Sequence, residues 1–382
     1  MTTAFGPSLR HRWWLEPGLA FLNHGSFGAC PREVLDAQTA LRERMERQPL
    51  VFMDKELGPE LDVAADRLGR FVGAPPGSVV FVENATGAVN AVVRSLRFEA
   101  GDVIVTTSHV YNAVRNALRF VCERTGAVLR VAEIPYALDG PDEAFAAFVA
   151  QLDGPVKLAV VDHLTSATAL VYPIERMVRA CRERGIPVLV DGAHGPGQVP
   201  IDLAALDPDW YTGNAHKWMF APKGCAFLYS REDRRDIHPL VISHGYQEGY
   251  REAFHWVGTR DPSAWLAIGA ALDFIEGLGG ARAVREHNRR LAWQAGELLA
   301  QAWAVPQLAP ASMRAALVAL PFPGDAPPED APRLHDALLA QGVEVPVFPF
   351  GGRCLIRISA QVYNGIADYE RLAEAVLRLR TA

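Results

Sequence analysis

Short apolar runs rich in β-branched residues alternate with helical patterns through the first two thirds of the chain. Among the helical patterns, residues 174–181 are the clearest, because apolar side chains recur there at spacings of three, four and seven just after Pro173. The strand-like runs include residues 79–82, 103–105, 158–161 and 188–190. Strands that alternate with helices predict an α/β fold, with a mostly parallel sheet covered by helices on both faces.

The pattern changes near Pro262, where two long helical stretches begin. A chain of 382 residues is longer than one ordinary core requires. We therefore predict an N-terminal segment, residues 1–20, that packs on a small domain, a large domain over residues 21–261, and a smaller α+β domain over residues 262–382. The segments predicted in the last region are helices over 263–276, 281–303 and 333–340, strands over 315–320, 343–348 and 354–358, and a final helix from 366.

The bulk composition excludes several classes of protein. A hydrophobic content of 49% with 21% charged residues is typical of a globular chain, and a formal charge of −6 provides no basic surface for nucleic acid. The five cysteines are scattered and form no CxxC motif, which fits a reducing compartment. We see neither a signal peptide nor a membrane span, so we expect a cytoplasmic protein without nucleic-acid or membrane partners.

Two residues that follow predicted strands suggest a cofactor. In parallel sheets, ligands bind beyond the carboxyl ends of the strands, where Asp191 and, further along, Lys217 fall. An aspartate can pair with the protonated pyridine nitrogen of pyridoxal phosphate (PLP), and a lysine can form the Schiff base. Taken singly, each has a plainer explanation, since aspartate often caps a helix and lysine is usually a solvated surface charge.

A second segment suits a phosphate group. Residues 82–87 follow a strand and open a helix, so small residues there let backbone N–H groups reach an anion, and Thr86 adds a hydroxyl. An ordinary helix cap at Asn84 explains the same segment. Gly192–Gly197 does not have the GxGxxG spacing of a dinucleotide turn, and Asp191 with His194 lacks further ligands at metal-site spacing, so we predict no metal.

These motifs resemble a known family. Asn84-Ala85-Thr86, Asp191-Gly-Ala-His194 and His216-Lys217, in this order, are similar to fold-type I PLP enzymes of the class V aminotransferase and cysteine desulfurase group. The chain resembles the isopenicillin N epimerase-like branch more closely. The further matching stretches are residues 21–28, 162–169, 209–218 and 254–262.

The resemblance implies a role for each matching residue that holds the cofactor. Lys217 would bind the cofactor covalently and move the α-proton, Asp191 would hold the pyridine nitrogen protonated, and His194 would hydrogen-bond the ring 3-oxygen. Thr259 would reach the phosphate of the neighbouring subunit, which implies a homodimer with shared active sites. The residues implied to bind the phosphate within one chain are Ala85, Thr86, Asn214 and His216.

The resemblance also implies substrate-binding and ring-covering residues. Arg357 matches the arginine that clamps the substrate carboxylate, and its planar fork suits a bidentate pair. Asn23 and His24 lie in a matching stretch and are predicted near the substrate. His109 or Tyr111 would cover the ring face opposite Lys217 and act in catalysis.

The reaction is less constrained than the cofactor. A desulfurase needs a mobile cysteine, and Cys354 instead lies within a predicted strand, which argues against that activity. We expect an epimerase-like enzyme acting at the α-carbon of an amino acid or small peptide. The alternatives are a C–S lyase on a cysteine conjugate, an aminotransferase, and a PLP-fold binding protein without catalysis.

Overall fold

The computed structural model describes residues 5–324 and 326–381 of the chain, so residues 1–4, 325 and 382 of the predicted segments lie outside it. Most of the predicted strands and helices are present with bounds shifted by only a few residues. The strands are β1 (Ala20–Phe21), β2 (Val79–Val82), β3 (Val103–Thr107), β4 (Val128–Ala132), β5 (Val156–Asp162), β6 (Val188–Asp191), β7 (Trp210–Gly213), β8 (Ala226–Ser230), β9 (Leu317–Pro321), β10 (Val343–Glu344), β11 (Val347–Phe350) and β12 (Arg353–Ser359).

Helices cover the sheets and connect the strands. The α-helices are α1 (His24–Phe27), α2 (Arg32–Arg47), α3 (Pro49–Val51), α4 (Leu57–Phe71), α5 (Ala85–Ser95), α6 (Asn112–Thr125), α7 (Pro141–Val149), α8 (Ile174–Arg182), α9 (Leu203–Leu206), α10 (Ala215–Trp218), α11 (Tyr250–His255), α12 (Ser263–Leu266), α13 (Ile268–Gly277), α14 (Gly280–Trp303), α15 (Ala331–Leu339) and α16 (Ile366–Thr381). Short 3-10 turns occupy Pro7–Arg12, Glu232–Arg234, Ala311–Met313 and Pro328–Asp330, and a π-helical turn spans Phe52–Glu56.

The large sheet in the described chain has the strand order β2-β8-β7-β6-β5-β3-β4. Its strands from β7 through β4 pair in parallel, whereas β8 runs antiparallel to both β2 and β7. The central strands are buried on both faces, which explains why they appear in the sequence as continuous apolar runs rather than as alternating ones. The predicted α/β architecture with a mostly parallel sheet is confirmed.

Helix α8 illustrates how the sequence pattern produces the packing. Ile174, Met177, Val178 and Cys181, the residues of its predicted apolar face, are all buried against the large sheet. Burial of one such face stabilises the fold by roughly 1.5–3 kcal/mol for each large apolar side chain.

The smaller domain is built on an antiparallel sheet of order β11-β12-β9, packed against α14, α15 and α16. Strand β1 crosses from the N-terminal segment to pair in parallel with β10 of this domain. The division at residue 262 stays a prediction, and α12 and α13, which follow it, contribute Trp265, Ile268 and Phe274 to the same hydrophobic core as the large sheet. Trp13, in the segment predicted to pack on the small domain, lies in that same core.

No single helix in residues 5–324 and 326–381 has the length and apolarity to cross a membrane. One pair, Ser263–Gly277 with Gly280–Trp303, meets those two criteria only when the helices are taken together, and it is bent by 69°.

Candidate active site

Four residues meet at the carboxyl edge of the large sheet, each placed by a different strand. Asp162 and Asp191 end the neighbouring strands β5 and β6, Lys217 follows β7, and Tyr111 follows β3. All four residues line one cavity of about 320 Å³. Because β6 and β5 lie between β7 and β3, Lys217 and Tyr111 approach this cavity from opposite sides of Asp191.

Lys217 faces the cavity with its amine against a histidine. Its Nζ lies 3.0 Å from Nε2 of His194, and the indole N–H of Trp218 donates to Nδ1 of the same ring at 3.4 Å. Since an indole nitrogen only donates, Nδ1 of His194 is an acceptor, and the proton of the neutral ring is on Nε2. That N–H then donates to the lone pair of a neutral lysine amine.

The surroundings of this pair favour the neutral amine. Burial, followed by the positive charge of Arg357, lowers the pKa of Lys217 to about 7, although the Asp191 carboxylate acts in the opposite direction. Burial, and then the charges of Lys217 and Arg357, lower the pKa of His194 well below its usual range. A neutral amine is the nucleophilic form that a Schiff base requires.

Asp191 and Asp162 are partners in the register of β5 and β6, and both are buried. Burial raises the pKa of Asp191, while the N–H of Ala193, which donates to its Oδ1 at 2.9 Å, and the charge of Lys217 lower it. Burial and the neighbouring Asp191 charge raise the pKa of Asp162 well above its usual range. Two adjacent carboxylates do not both ionise readily, so we assign the charge to Asp191 and the proton to Asp162.

The N-terminus of α5 opens onto the cavity through Asn84, Ala85 and Thr86. Asn84 caps this helix, because its side-chain oxygen accepts the N–H of Gly87 at 2.8 Å. The cap and the anion-site interpretations are therefore compatible. The cap orders the first turn, and the positive end of the helix dipole faces the cavity.

Asn214 and His216 complete this end of the cavity from the loop that carries Lys217. The side-chain oxygen of Asn214 accepts the N–H of Ala85 at 2.8 Å and so ties the loop to α5. Nδ1 of His216 donates to the carbonyl of Cys225 at 3.0 Å, which leaves its Nε2 for a ligand.

Arg357 lies behind the cavity on β12 and joins two serines that line it. Its Nη1 donates to the carbonyl of Ser166 at 2.6 Å and to the hydroxyl at 3.2 Å, and its Nη2 donates to Oγ of Ser26 at 3.2 Å. Burial lowers the pKa of the guanidinium to about 10, which still leaves it charged at neutral pH. The small domain thereby places a cation at the wall of a cavity that the large domain builds.

Besides Arg357 and Thr259, three predicted site residues do not line the cavity. His24 is buried, and its ring nitrogens are occupied by the Tyr363 hydroxyl at 2.8 Å and the Lys217 carbonyl at 2.9 Å. Asn23 donates to Glu344 at 2.8 Å and accepts from Ser26 at 2.5 Å. Both residues support the wall of the cavity rather than form it.

His109 is the third of these residues. Its Nδ1 is 2.7 Å from the Thr168 hydroxyl, its Nε2 is 3.1 Å from the Ile134 carbonyl, and its ring packs against Phe350 at 4.8 Å. Of the two predicted ring-covering residues, the structure thus brings only Tyr111 into the cavity with Lys217.

Thr259, predicted to reach a neighbouring subunit, is exposed and does not line the cavity of its own chain. Ser26, Ser166 and Phe27 line the cavity but were not among the predicted site residues. Ser26 and Phe27 fall in the matching stretch 21–28 and Ser166 in 162–169, so the resemblance was the signal that could have found them.

Cys354 is buried within β12, where its thiol donates to the Pro327 carbonyl at 3.1 Å. Burial, followed by the nearby carboxylates Asp330 and Glu329, raises the pKa of this thiol. A buried thiol kept protonated is a poor nucleophile, in agreement with the argument against a desulfurase.

A reactive lysine, a buried aspartate on the adjacent strand and a helix N-terminus suited to phosphate fit the amine, pyridine and phosphate contacts of PLP. Fold-type I PLP enzymes are the class of protein that this sheet and cavity define. Residues 29–372 match the family model for class V aminotransferases, and the chain belongs to that family. This membership confirms the predicted family, fold class and cofactor, PLP, and the prediction of an enzyme.

Relatives within the family differ in their reactions. The chain is 36% identical to the isopenicillin N epimerase of Amycolatopsis lactamdurans, over 96% of each protein. It is 34% identical to the putative L-cysteine desulfhydrase 1 of Oryza sativa subsp. japonica, over 95% of this chain and 84% of that protein.

A likeness in fold extends to solved structures. C-DES, a cystine C–S lyase solved with glycine covalently linked to its PLP, superposes with a TM-score of 0.82 at 21% identity, over 96% of this chain and 98% of that one. At this identity the likeness concerns the fold.

Proposed function

We propose that this protein is a PLP-dependent, epimerase-like enzyme that removes and returns the α-proton of an amino acid or small peptide with a free α-amino and α-carboxylate end. The observation that carries the proposal is the placement of Lys217 and Tyr111 on opposite sides of Asp191 in one cavity. PLP, when bound, supplies an electron sink that eases loss of a bond at the α-carbon. Inversion then requires two proton-transfer groups, one for each face of the α-carbon, and this cavity contains Lys217 and Tyr111 for these roles.

Each residue in the proposal has a task at a stated atom. The neutral Nζ of Lys217 accepts the α-proton on one face, and the Tyr111 hydroxyl delivers a proton on the other. Arg357 orients the substrate through its α-carboxylate, assisted by Ser26 and Ser166. Asp191 keeps the pyridine nitrogen protonated.

A C–S lyase on a cysteine conjugate is the second candidate. It is favoured by the similarity to the putative rice desulfhydrase, which nearly equals that to the epimerase. In that reaction Lys217 again accepts the α-proton, and the Tyr111 hydroxyl protonates the departing sulfur.

Incubation with amino acids in D₂O separates the two reactions. Deuterium uptake at the α-carbon with inversion, and without loss of substrate, supports the epimerase. Release of pyruvate and ammonia from a cysteine conjugate would overturn it in favour of the lyase. Tyr111→Phe should retain single-face exchange at Lys217 while losing inversion; equal loss of both would contradict the two-face assignment.

We further propose that the enzyme is a homodimer in which Thr259 binds the phosphate of the partner's cofactor. Two features support this proposal: Thr259 lies exposed outside its own cavity, and an apolar stretch nearby, Leu240, Val241 and Ile242, is 44%, 54% and 51% exposed. Light scattering after gel filtration should give twice the chain mass of 41.7 kDa. Thr259→Ala should weaken PLP binding, and a monomer that holds PLP at full affinity would overturn the shared site.

A further inference from the structure

A second, larger cavity of about 940 Å³ adjoins the active site. Tyr111 and Ser166 line both cavities, so the two are contiguous. The second cavity lies between the domains: α6 and β4 of the large domain form one side, and the β11–β12 hairpin forms the other. A substrate held at Arg357 can therefore extend into it.

One wall of this cavity is positively charged. Arg115 and Arg119 line it four residues apart, on one face of α6. Arg353, near the tip of the hairpin, lies with its guanidinium 5.9 Å from the ring centroid of Tyr136, another lining residue. Glu133 is the acidic residue among the lining residues.

The three arginines are available to an anionic ligand. Arg115 donates through Nη2 to the Ser108 carbonyl at 2.7 Å, and its buried Nε has no hydrogen-bond partner within the described residues. Arg119 and Arg353 are exposed. In the part of the chain that the structure describes, none of the three forms an ion pair.

Aromatic rings form another part of the cavity lining. Tyr136 and Phe350 stack with ring centroids 5.7 Å apart, and Phe350 contacts His109 at 4.8 Å. These rings would cover the methylene or peptide part of a chain that runs past them. Gly351 and Gly352, at φ 57° and 76°, form the tight turn that holds Phe350 over the cavity.

Element geometry gives the distance from the catalytic cavity to the charges. Arg115 lies four residues beyond Tyr111 and Arg119 eight, which is about 6 Å and about 12 Å along a helix axis. Arg353 lies four residues from Arg357 on the same face of β12, or about 13 Å along the strand. A distal anion several bonds from the α-carbon would thus meet two or three cations, whereas a side chain as short as that of cysteine would not leave the first cavity.

We propose that this cavity is a subsite for the far end of an extended substrate that carries a distal carboxylate. The proposal rests on the proposed function, since it names the substrate class of the same site. It assigns specificity to Arg119 and Arg115 rather than to the cofactor-binding residues.

The test uses two ligands that differ only in the distal charge, γ-L-glutamylglycine and γ-L-glutamylglycinamide. Their dissociation constants are measured with the PLP-loaded enzyme through the change in cofactor absorption. We expect the acid to bind about tenfold more tightly than the amide, since a charge-assisted contact contributes roughly 1.5 kcal/mol or more. Equal affinity for the two ligands would overturn the proposal.

Matched variants on α6 locate the effect. Arg119→Gln should reduce the preference for the acid by about fivefold. A preference of about twofold should remain, because Arg115 and Arg353 are still present. Arg124→Gln, an exposed arginine on the same helix that packs on Phe120 outside the cavity, should leave the preference unchanged. Equal effects of the two substitutions would mean that the preference comes from the overall charge of the protein and would overturn the assignment.

A preference for the acid without any α-proton exchange would support the subsite and overturn the epimerase proposal.

Discussion

Lys217 Nζ lies 3.0 Å from Nε2 of His194, so two groups that are usually basic are in direct contact. The contact is favourable only if at least one of the two is neutral, and burial lowers the pKa of both. His194, the residue predicted to bond the ring 3-oxygen, donates its N–H to the lysine amine in this structure.

Removing the lysine charge should stabilise the cofactor-free protein. Because the folded-state pKa of Lys217, about 7, lies below the ordinary value of 10.5, the unfolded chain binds more protons between these pH values, and stability rises with pH. Lys217→Met should therefore raise the free energy of unfolding at pH 7 by about 2 to 4 kcal/mol, and the gain should shrink by pH 10. Urea unfolding at several pH values measures both effects.

The exposed Lys157 provides the control for this experiment. Lys157→Met should change stability by less than about 0.5 kcal/mol, as is usual for surface substitutions. A loss of stability in Lys217→Met at pH 7 would show that the buried amine is compensated by contacts other than those described.

The two neighbouring carboxylates should respond differently to the same substitution. Asp191→Asn keeps an acceptor for the Ala193 N–H but removes the charge that we propose holds the pyridine nitrogen protonated, so kcat/KM should fall roughly 100- to 1,000-fold. Asp162→Asn replaces a group that already carries a proton and should cost less than about tenfold. Steady-state kinetics at equal PLP occupancy measures both, and a reversed order would assign the charge to Asp162.

The sequence determines the sheet and the positions of Asp191 and Lys217 for a simple physical reason. Buried parallel strands appear as apolar runs, and ligands bind where those runs end, so the pattern alone makes candidates of the residues just after a run. The same reasoning cannot separate His109 from Tyr111. They are two residues apart in one loop, and the backbone at the start of α6 decides which one faces the cavity.

Contacts between distant segments were beyond the sequence pattern. Arg357 meets Ser166 and Ser26, which are 191 and 331 residues away along the chain. The apolar face of α13 predicts that this helix is buried, but it does not predict that the helix packs in the same core as the large sheet. Periodicity specifies that a face is covered, and only the tertiary structure specifies what covers it.

Replacing Arg357 should affect the substrate more than the cofactor. The planar fork of Arg357 donates to Ser166 and still has donors for a carboxylate. Arg357→Lys keeps the positive charge but loses this fork, so kcat/KM should fall about 100-fold. The PLP dissociation constant should change less than about threefold. Ser26→Ala removes one partner of the arginine and should cost less than about tenfold. If Arg357→Lys weakened PLP binding as much as substrate binding, the carboxylate clamp would be the wrong assignment.

The approach of Gly28, at the end of α1, to the Lys217 loop should be the least tolerant point near the site. Gly28 has φ 70°, and a Cβ there would lie 2.1 Å from the His216 carbonyl oxygen and 2.9 Å from that of Lys217. Both contacts are with backbone, so Gly28→Ala must displace the loop that carries Lys217. Gly18 has a similar φ of 76° but open space around its Cβ, so Gly18→Ala isolates the cost of the left-handed backbone, about 1 kcal/mol. We expect Gly28→Ala to lower stability by about 2 kcal/mol or more beyond that control and to weaken PLP binding at least tenfold, as measured by unfolding and by cofactor titration. Equal effects of the two substitutions would mean that the loop moves aside freely, and the position of Lys217 would then not depend on the turn after α1.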